Sequence, residues 1–117
     1  MRTNPRPVSI ESARHYTWGA GCDGWHLVAA EGLSVIEERM PAGTAEVRHR
    51  HGAARQFFFV LSGELTLDIG GVTVDVPAGT GCEVSPGETH QVFNRSGAVV
   101  EFLVISQPPA QGDREMA

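Results

Sequence analysis

His49 and His51 stand one residue apart, and their side-chain type and spacing suit metal chemistry. In extended backbone alternate side chains share a face, which brings the two Cβ atoms to one side roughly 6.6 Å apart. Two imidazoles so placed can chelate one ion, each through a ring nitrogen. Arg48 and Arg50 then point the other way, and Val47 joins the histidines on the inward face. A hydrogen-bonded, solvated pair fits the same spacing equally well. The elements around the pair therefore have to decide.

Those elements read as strands. The 14 glycines and 7 prolines break the chain at short intervals, and no stretch between them holds a helical period of useful length. The clearest unit is a hairpin: Leu65, Leu67 and Ile69 alternate with polar residues, Gly70-Gly71 turns the chain, and Val72, Val74 and Val76 alternate on the return. Further strands are expected over 25–29, 33–40, 46–51, 56–61, 81–85, 90–94 and 99–106. Many short strands at close spacing give an all-β sandwich or barrel. The chain reads as a single domain over 1–117. Residues 1–30 form an N-terminal strand or cap carrying Tyr16, Trp18 and Trp25, 33–106 form the barrel core, and 108–117 form a flexible tail. Met1 to Pro7 reads as a frayed leader.

Composition excludes several functions. A chain of 117 residues, 41% hydrophobic and 20% charged, can bury a core without staples, so a metal would be present for chemistry. Its longest apolar run, around Phe57 to Leu61, is too short to span a bilayer, which argues against a membrane protein. Net charge is −5 and the nine cationic residues are all arginine, with only Arg48, Arg50 and Arg55 clustered, so nucleic acid is not expected as a partner. No signal peptide is evident, which makes the cytoplasm the default address. Cys22 and Cys82 are far apart and read as buried or idle thiols.

Two spaced patterns frame the histidines. Gly43, five residues, His49-x-His51, four residues, Gln56, six residues and Gly63 resembles the first cupin motif, with Gln56 at the position of its usual glutamate. After a 15-residue gap, Gly79, five residues, Ser85-Pro86-Gly87, two residues, His90, three residues and Asn94 resembles the second, with the proline adjacent to the glycine instead of two before it. The resemblance runs from about Leu33 to Ile105. It implies a double-stranded β-helix, the cupin jelly-roll barrel, holding one divalent transition metal (Mn, Fe, Ni, Co or Zn) through His49, His51, Gln56 and His90. Gly63 and Gly87 would serve the turns after the second strand and before His90. Asn94 is read as structural. Cupins often pair, which together with exposed sheet edges suggests a homodimer.

Gln56 bears on mechanism. Three imidazoles and an amide leave a divalent site at +2, where a glutamate would leave +1, so a bound water or hydroxylic substrate becomes more acidic and anions bind better. Gln56 either coordinates or hydrogen-bonds a bound water. The expected function is a metal-dependent enzyme acting on a small molecule that forms an oxyanion, an oxidoreductase of dioxygenase type or a lyase. A non-catalytic small-molecule-binding module and a sugar-type isomerase or epimerase are the alternatives. Phe57, Phe58, Phe59, Phe93 and Phe102 are read first as core. Glu37, Glu38 and Arg39 are read first as a solvated face, with an acid–base group in the cavity as the alternative. His15 and His26 are read as surface or packing residues, and Arg114 as part of a mobile end or, alternatively, a group that folds over a substrate anion.

Overall fold

A computed structural model describes residues 4–117; the first three residues of the stretch expected to form a frayed leader, Met1 to Pro7, lie outside them. The described residues form eleven strands and no helix: β1 (Arg14–Trp18), β2 (Cys22–Ala29), β3 (Ser34–Met40), β4 (His49–His51), β5 (Arg55–Ser62), β6 (Glu64–Ile69), β7 (Val72–Pro77), β8 (Gly81–Val84), β9 (His90–Phe93), β10 (Val100–Gln107) and β11 (Arg114–Met116). They make two antiparallel sheets, one ordered β1-β2-β3-β10-β5-β8 and the other β11-β4-β9-β6-β7. No helix is long and apolar enough to cross a membrane.

Alternation builds the core between the sheets. On β5 Gln56, Phe58 and Val60 are buried while Arg55, Phe57 and Leu61 face out, and on β10 Val100, Phe102, Val104 and Ser106 are buried. Leu65 and Leu67 of β6, Val92 of β9 and Val76 of β7 meet them from the other sheet. Each such side chain contributes about 1.5–3 kcal/mol on burial. The Gly70-Gly71 hairpin has the expected register, Ile69 opposite Val72 and Leu65 opposite Val76. Gly63, at φ +81°, sits where a Cβ would lie 2.6 Å from the Val99 carbonyl oxygen, so no side chain fits the tight link from β5 to β6.

Three sequence expectations change. The expected 46–51 strand shrinks to His49–His51, because 44–48 forms no regular ladder and meets its neighbour through an isolated Ala45–Phe93 bridge, the Glu46 N–H to Val92 carbonyl and Asn94 N–H to Thr44 carbonyl bonds, and the Gln91 side-chain amide on the Glu46 carbonyl. Alternation therefore does not extend back to Val47, which is 52% exposed and not inward. The N-terminal aromatic stretch resolves as an outer strand, β1, paired with β2 from Arg14–His26 to Trp18–Cys22. The stretch read as a flexible tail has a partner: β11 pairs with β4, Arg114 opposite His51 and Met116 opposite His49.

Candidate metal centre

Two strands bring the three histidines together. His49 and His51 leave β4 on one face, and the β4–β9 register sets His90 directly opposite His49. The turn before β9 is held by the Gly87 N–H, which donates to the His51 carbonyl at 2.7 Å. Gly87 takes φ +81° there, a conformation glycine adopts without strain. All three imidazoles are buried, and one potential ligand atom from each lies within 4.8 Å of the others. Small ring rotations bring such atoms onto one ion, and the cluster could hold a metal.

Hydrogen bonds orient two of the rings. His49 Nδ1 donates to the Val47 carbonyl at 2.8 Å and His90 Nδ1 to the Glu88 carbonyl at 3.1 Å, which leaves each Nε2 with a free lone pair. Burial pushes His49 down to about 4, with the nearby positive charges of His90, Arg114 and His51 adding to it against the Val47 carbonyl. Burial likewise lowers His51 and His90. The rings are therefore neutral near pH 7, the form that binds metal.

Gln56 lies on β5 opposite Ser106 of β10. Its Nε2 donates to Ser106 Oγ at 3.1 Å, and its Oε1 is buried without a hydrogen-bond partner. The other buried side-chain polar atoms left without partners, among the described residues, are His51 Nδ1 and His90 Nε2. Buried acceptors in that state are rare in folded proteins and call for a ligand. Three imidazole nitrogens and an amide oxygen suit a borderline divalent ion, so the residues present fit a metal.

His49, His51 and Gln56 border a cavity of about 220 Å³ with an apolar wall of Ile36, Phe58 and Val104. Glu38, Glu46 and Arg114 also line it. The first-choice reading of Glu38 as a solvated residue is thus corrected, since on β3 it shares its face with Ile36 and Met40. Tyr16 of β1 donates its hydroxyl to Glu38 Oε2 at 2.8 Å. Burial, then the charge of Glu46, raises Glu38 to about 8 against the pull of the Tyr16 hydroxyl. Burial raises Glu46 to about 7, with Arg114 opposing.

The family model for the cupin domain matches residues 36–106, well over half of the chain. The chain belongs to the cupin family. This cupin is 28% identical over 85 residues to an oxalate-binding protein of Thermotoga maritima, covering 68% of this chain and 70% of that one. In fold it resembles a predicted oxalate decarboxylase of Thermotoga maritima, at TM-score 0.80 and 21% identity over 89% of this chain and all of the other. It also resembles a cupin sugar phosphate isomerase of Silicibacter pomeroyi, at TM-score 0.78 and 21% identity over 89% of this chain and 76% of that one. The double-stranded β-helix expected from the sequence is the fold the cupin has.

Other expected residues fall as follows. Asn94 is buried and structural: its Nδ2 donates to the Met40 and Ala98 carbonyls and its Oδ1 accepts from Ser96. Phe58 packs toward the site, 6.1 Å from the His90 ring, while Phe102 is fully buried in the core. His15 pairs with Asp23 at the surface, and His26 lies beside Tyr16. Tyr16, Ser106 and Arg114 were not marked as site residues by motif. Strand parity alone would have found Glu38 and Ser106, whereas Tyr16 and Arg114 arrive from the two ends of the chain.

Proposed function

We propose that this cupin holds one divalent transition ion (Mn, Fe, Co, Ni or Zn) through His49, His51 and His90 with Gln56 Oε1 as fourth ligand. It then acts on a small oxyanion-forming substrate in a dioxygenase- or lyase-type reaction. The observation that carries this reading is that three buried side-chain atoms without partners gather around the histidine cluster: one each on His51 and His90, which with His49 bring potential ligand atoms within 4.8 Å of one another, and Gln56 Oε1, whose residue lines a cavity together with His49 and His51. Bound there, a divalent ion would supply a Lewis acid of net charge +2.

The chain's own groups divide the remaining work. Ser106 takes the Gln56 amide N–H and so turns the amide oxygen toward the histidines. Ile36, Phe58 and Val104 keep water off one wall, which strengthens every charge interaction inside. Glu38 holds or moves a proton at its carboxyl, near neutrality in its present surroundings, and Tyr16 positions it. The Thermotoga relative's description as oxalate-binding supports a small carboxylate as ligand, and also supports a second reading in which the barrel binds without turnover.

The test is metal content. Wild-type protein is expected to take up about one Mn(II) or Co(II) per chain, and His49→Ala and His90→Ala to lose more than the roughly 100-fold in affinity that removal of an outer-sphere partner brings, while keeping the barrel's circular dichroism. Unchanged metal in both variants would overturn the assignment. The same reading places the protein in the cytoplasm as a homodimer that pairs through the outward face of the larger sheet, where Leu33, Phe57 and Leu61 are exposed. A monomeric mass by light scattering at micromolar concentration would contradict the pairing.

A further inference from the structure

The C-terminal strand carries the cation of the cavity. In an antiparallel pair, directly opposite residues project from the same face, with Cβ atoms about 4.5–5.5 Å apart. Arg114 lies opposite His51, so the register turns it to the face that His51 presents to the cavity, and it lines that cavity. A slip of one residue would turn it outward. Two contacts outside the cavity prevent the slip. Asp113 accepts from the N–H groups of Gly52, Ala53 and Ala54, the three residues directly after His51. On the outer face Arg50 Nε donates to Glu115 Oε2 at 2.9 Å.

Arg114 itself is left free. Arg39, Arg50 and Arg55 each pair with a glutamate, whereas among the described residues no carboxylate comes within 4.0 Å of the Arg114 guanidinium. An unpaired, exposed guanidinium on a strand held in register at the mouth of a partly apolar cavity matches a carboxylate through two parallel N–H bonds. A volume of about 220 Å³ suits a small organic acid.

We propose that Arg114, delivered by β11 and held in register by Asp113, anchors the carboxylate of a small organic acid whose other oxygens face the histidines. This inference rests on the metal-centre reading for the far end of the substrate only. Asp113 is a positioning residue.

Oxalate binding by calorimetry, with and without stoichiometric Mn(II), tests it in wild type, Arg114→Gln, Arg114→Lys and Asp113→Ala. Metal content is measured on the same samples. Arg114→Gln is expected to weaken oxalate at least tenfold, about 1.4 kcal/mol, with Mn(II) bound as tightly as in wild type. Arg114→Lys should recover part of the loss, since it keeps the charge without the fork. Asp113→Ala should weaken oxalate in the same direction with Arg114 intact. Equal oxalate affinity in wild type and Arg114→Gln at full metal occupancy overturns the anchor and leaves the metal centre standing, as does a metal-loaded wild type that ignores oxalate. Failure of wild type to take up any of Mn(II), Fe(II), Co(II), Ni(II) and Zn(II) overturns the metal centre. In that case an oxalate affinity still lowered by Arg114→Gln supports the anchor, and an unchanged or absent one overturns both.

Discussion

The same strands run through two unlike regions of the barrel. At the mouth, β5 turns Gln56 inward, β10 Ser106, β9 His90 and β3 Glu38; further along their lengths the same four strands turn Val60, Phe102, Val92 and Met40 inward. Gln56 and Val60 are four residues apart, roughly 13 Å in extended backbone, and both are buried. The deeper region is apolar and fully packed. The mouth holds three buried acceptors without partners, three imidazoles kept neutral by burial and two carboxyls raised toward neutrality. Inward parity thus holds along these four strands, and what changes is whether the inward residue stabilises the fold or waits for a ligand. Unsatisfied buried polar groups each cost about 1–3 kcal/mol, so the mouth weakens the barrel that the deeper region holds together.

The largest effect that could break this contrast lies in the packed region. Phe102 is fully buried between the sheets, and Phe102→Ala is expected to lower unfolding free energy by about 3–5 kcal/mol. Metal bound per folded chain should stay the same, because no ligand is touched. Urea titration with parallel metal analysis checks both halves, and a loss of metal in the folded fraction would mean that the two regions are not separable.

Next in size is Gln56→Glu, which sharpens the electrostatic half of the comparison. A carboxylate is the stronger ligand, so Mn(II) affinity should hold or rise, while the site's formal charge falls from +2 to +1. Anion binding should weaken, and a shift of about two pKa units in a bound water corresponds to roughly 2.7 kcal/mol. Side-by-side titration of metal and oxalate measures it. Unaltered oxalate affinity would show that the neutrality of Gln56 is incidental.

Much of this was legible in the sequence, for reasons that differ by residue. The Gly70-Gly71 hairpin and the shared face of His49 and His51 follow from local alternation, and the spacing from His49 to Asn94 carried the family resemblance. Glu38 was equally legible by parity with Ile36 and Met40, but its charge favoured a solvated reading, since ionised carboxylates are seldom buried unpaired. Its partner Tyr16 lies 22 residues away on a strand whose pairing local sequence does not encode. Val47 was misplaced because a two-residue period holds only while the chain stays in a regular ladder, and the ladder begins at His49. Arg114 depends on a contact between Asp113 and the backbone of Gly52 to Ala54, some 60 residues back, which no local pattern announces.

The smallest effect concerns Glu38 and separates the two regions by pH. Burial raises its pKa from the ordinary carboxylate range to about 8, so between those values the folded chain keeps a proton that the unfolded chain has released. Stability then falls as pH rises through this window, because the native state binds more protons. Glu46, raised to about 7, acts in the same sense. The buried imidazoles act oppositely: their pKa values are lowered, so they take stability away as pH falls from about 6.5 toward about 4, the value for His49. Above pH 6.5 the carboxyls alone remain, and Glu38 should contribute a loss of about 1–2 kcal/mol between pH 6.5 and 8 in metal-free protein. Glu38→Gln removes the titration while keeping an acceptor for Tyr16, so the fall above pH 6.5 should flatten by that amount, and between about 4.5 and 6.5 the opposing rise from the imidazoles should steepen. Thermal unfolding across pH, without metal, is the measurement. An alkaline slope identical in the variant would mean that Glu38 is ionised at neutrality and that the mouth holds no neutral carboxyl there to move a proton.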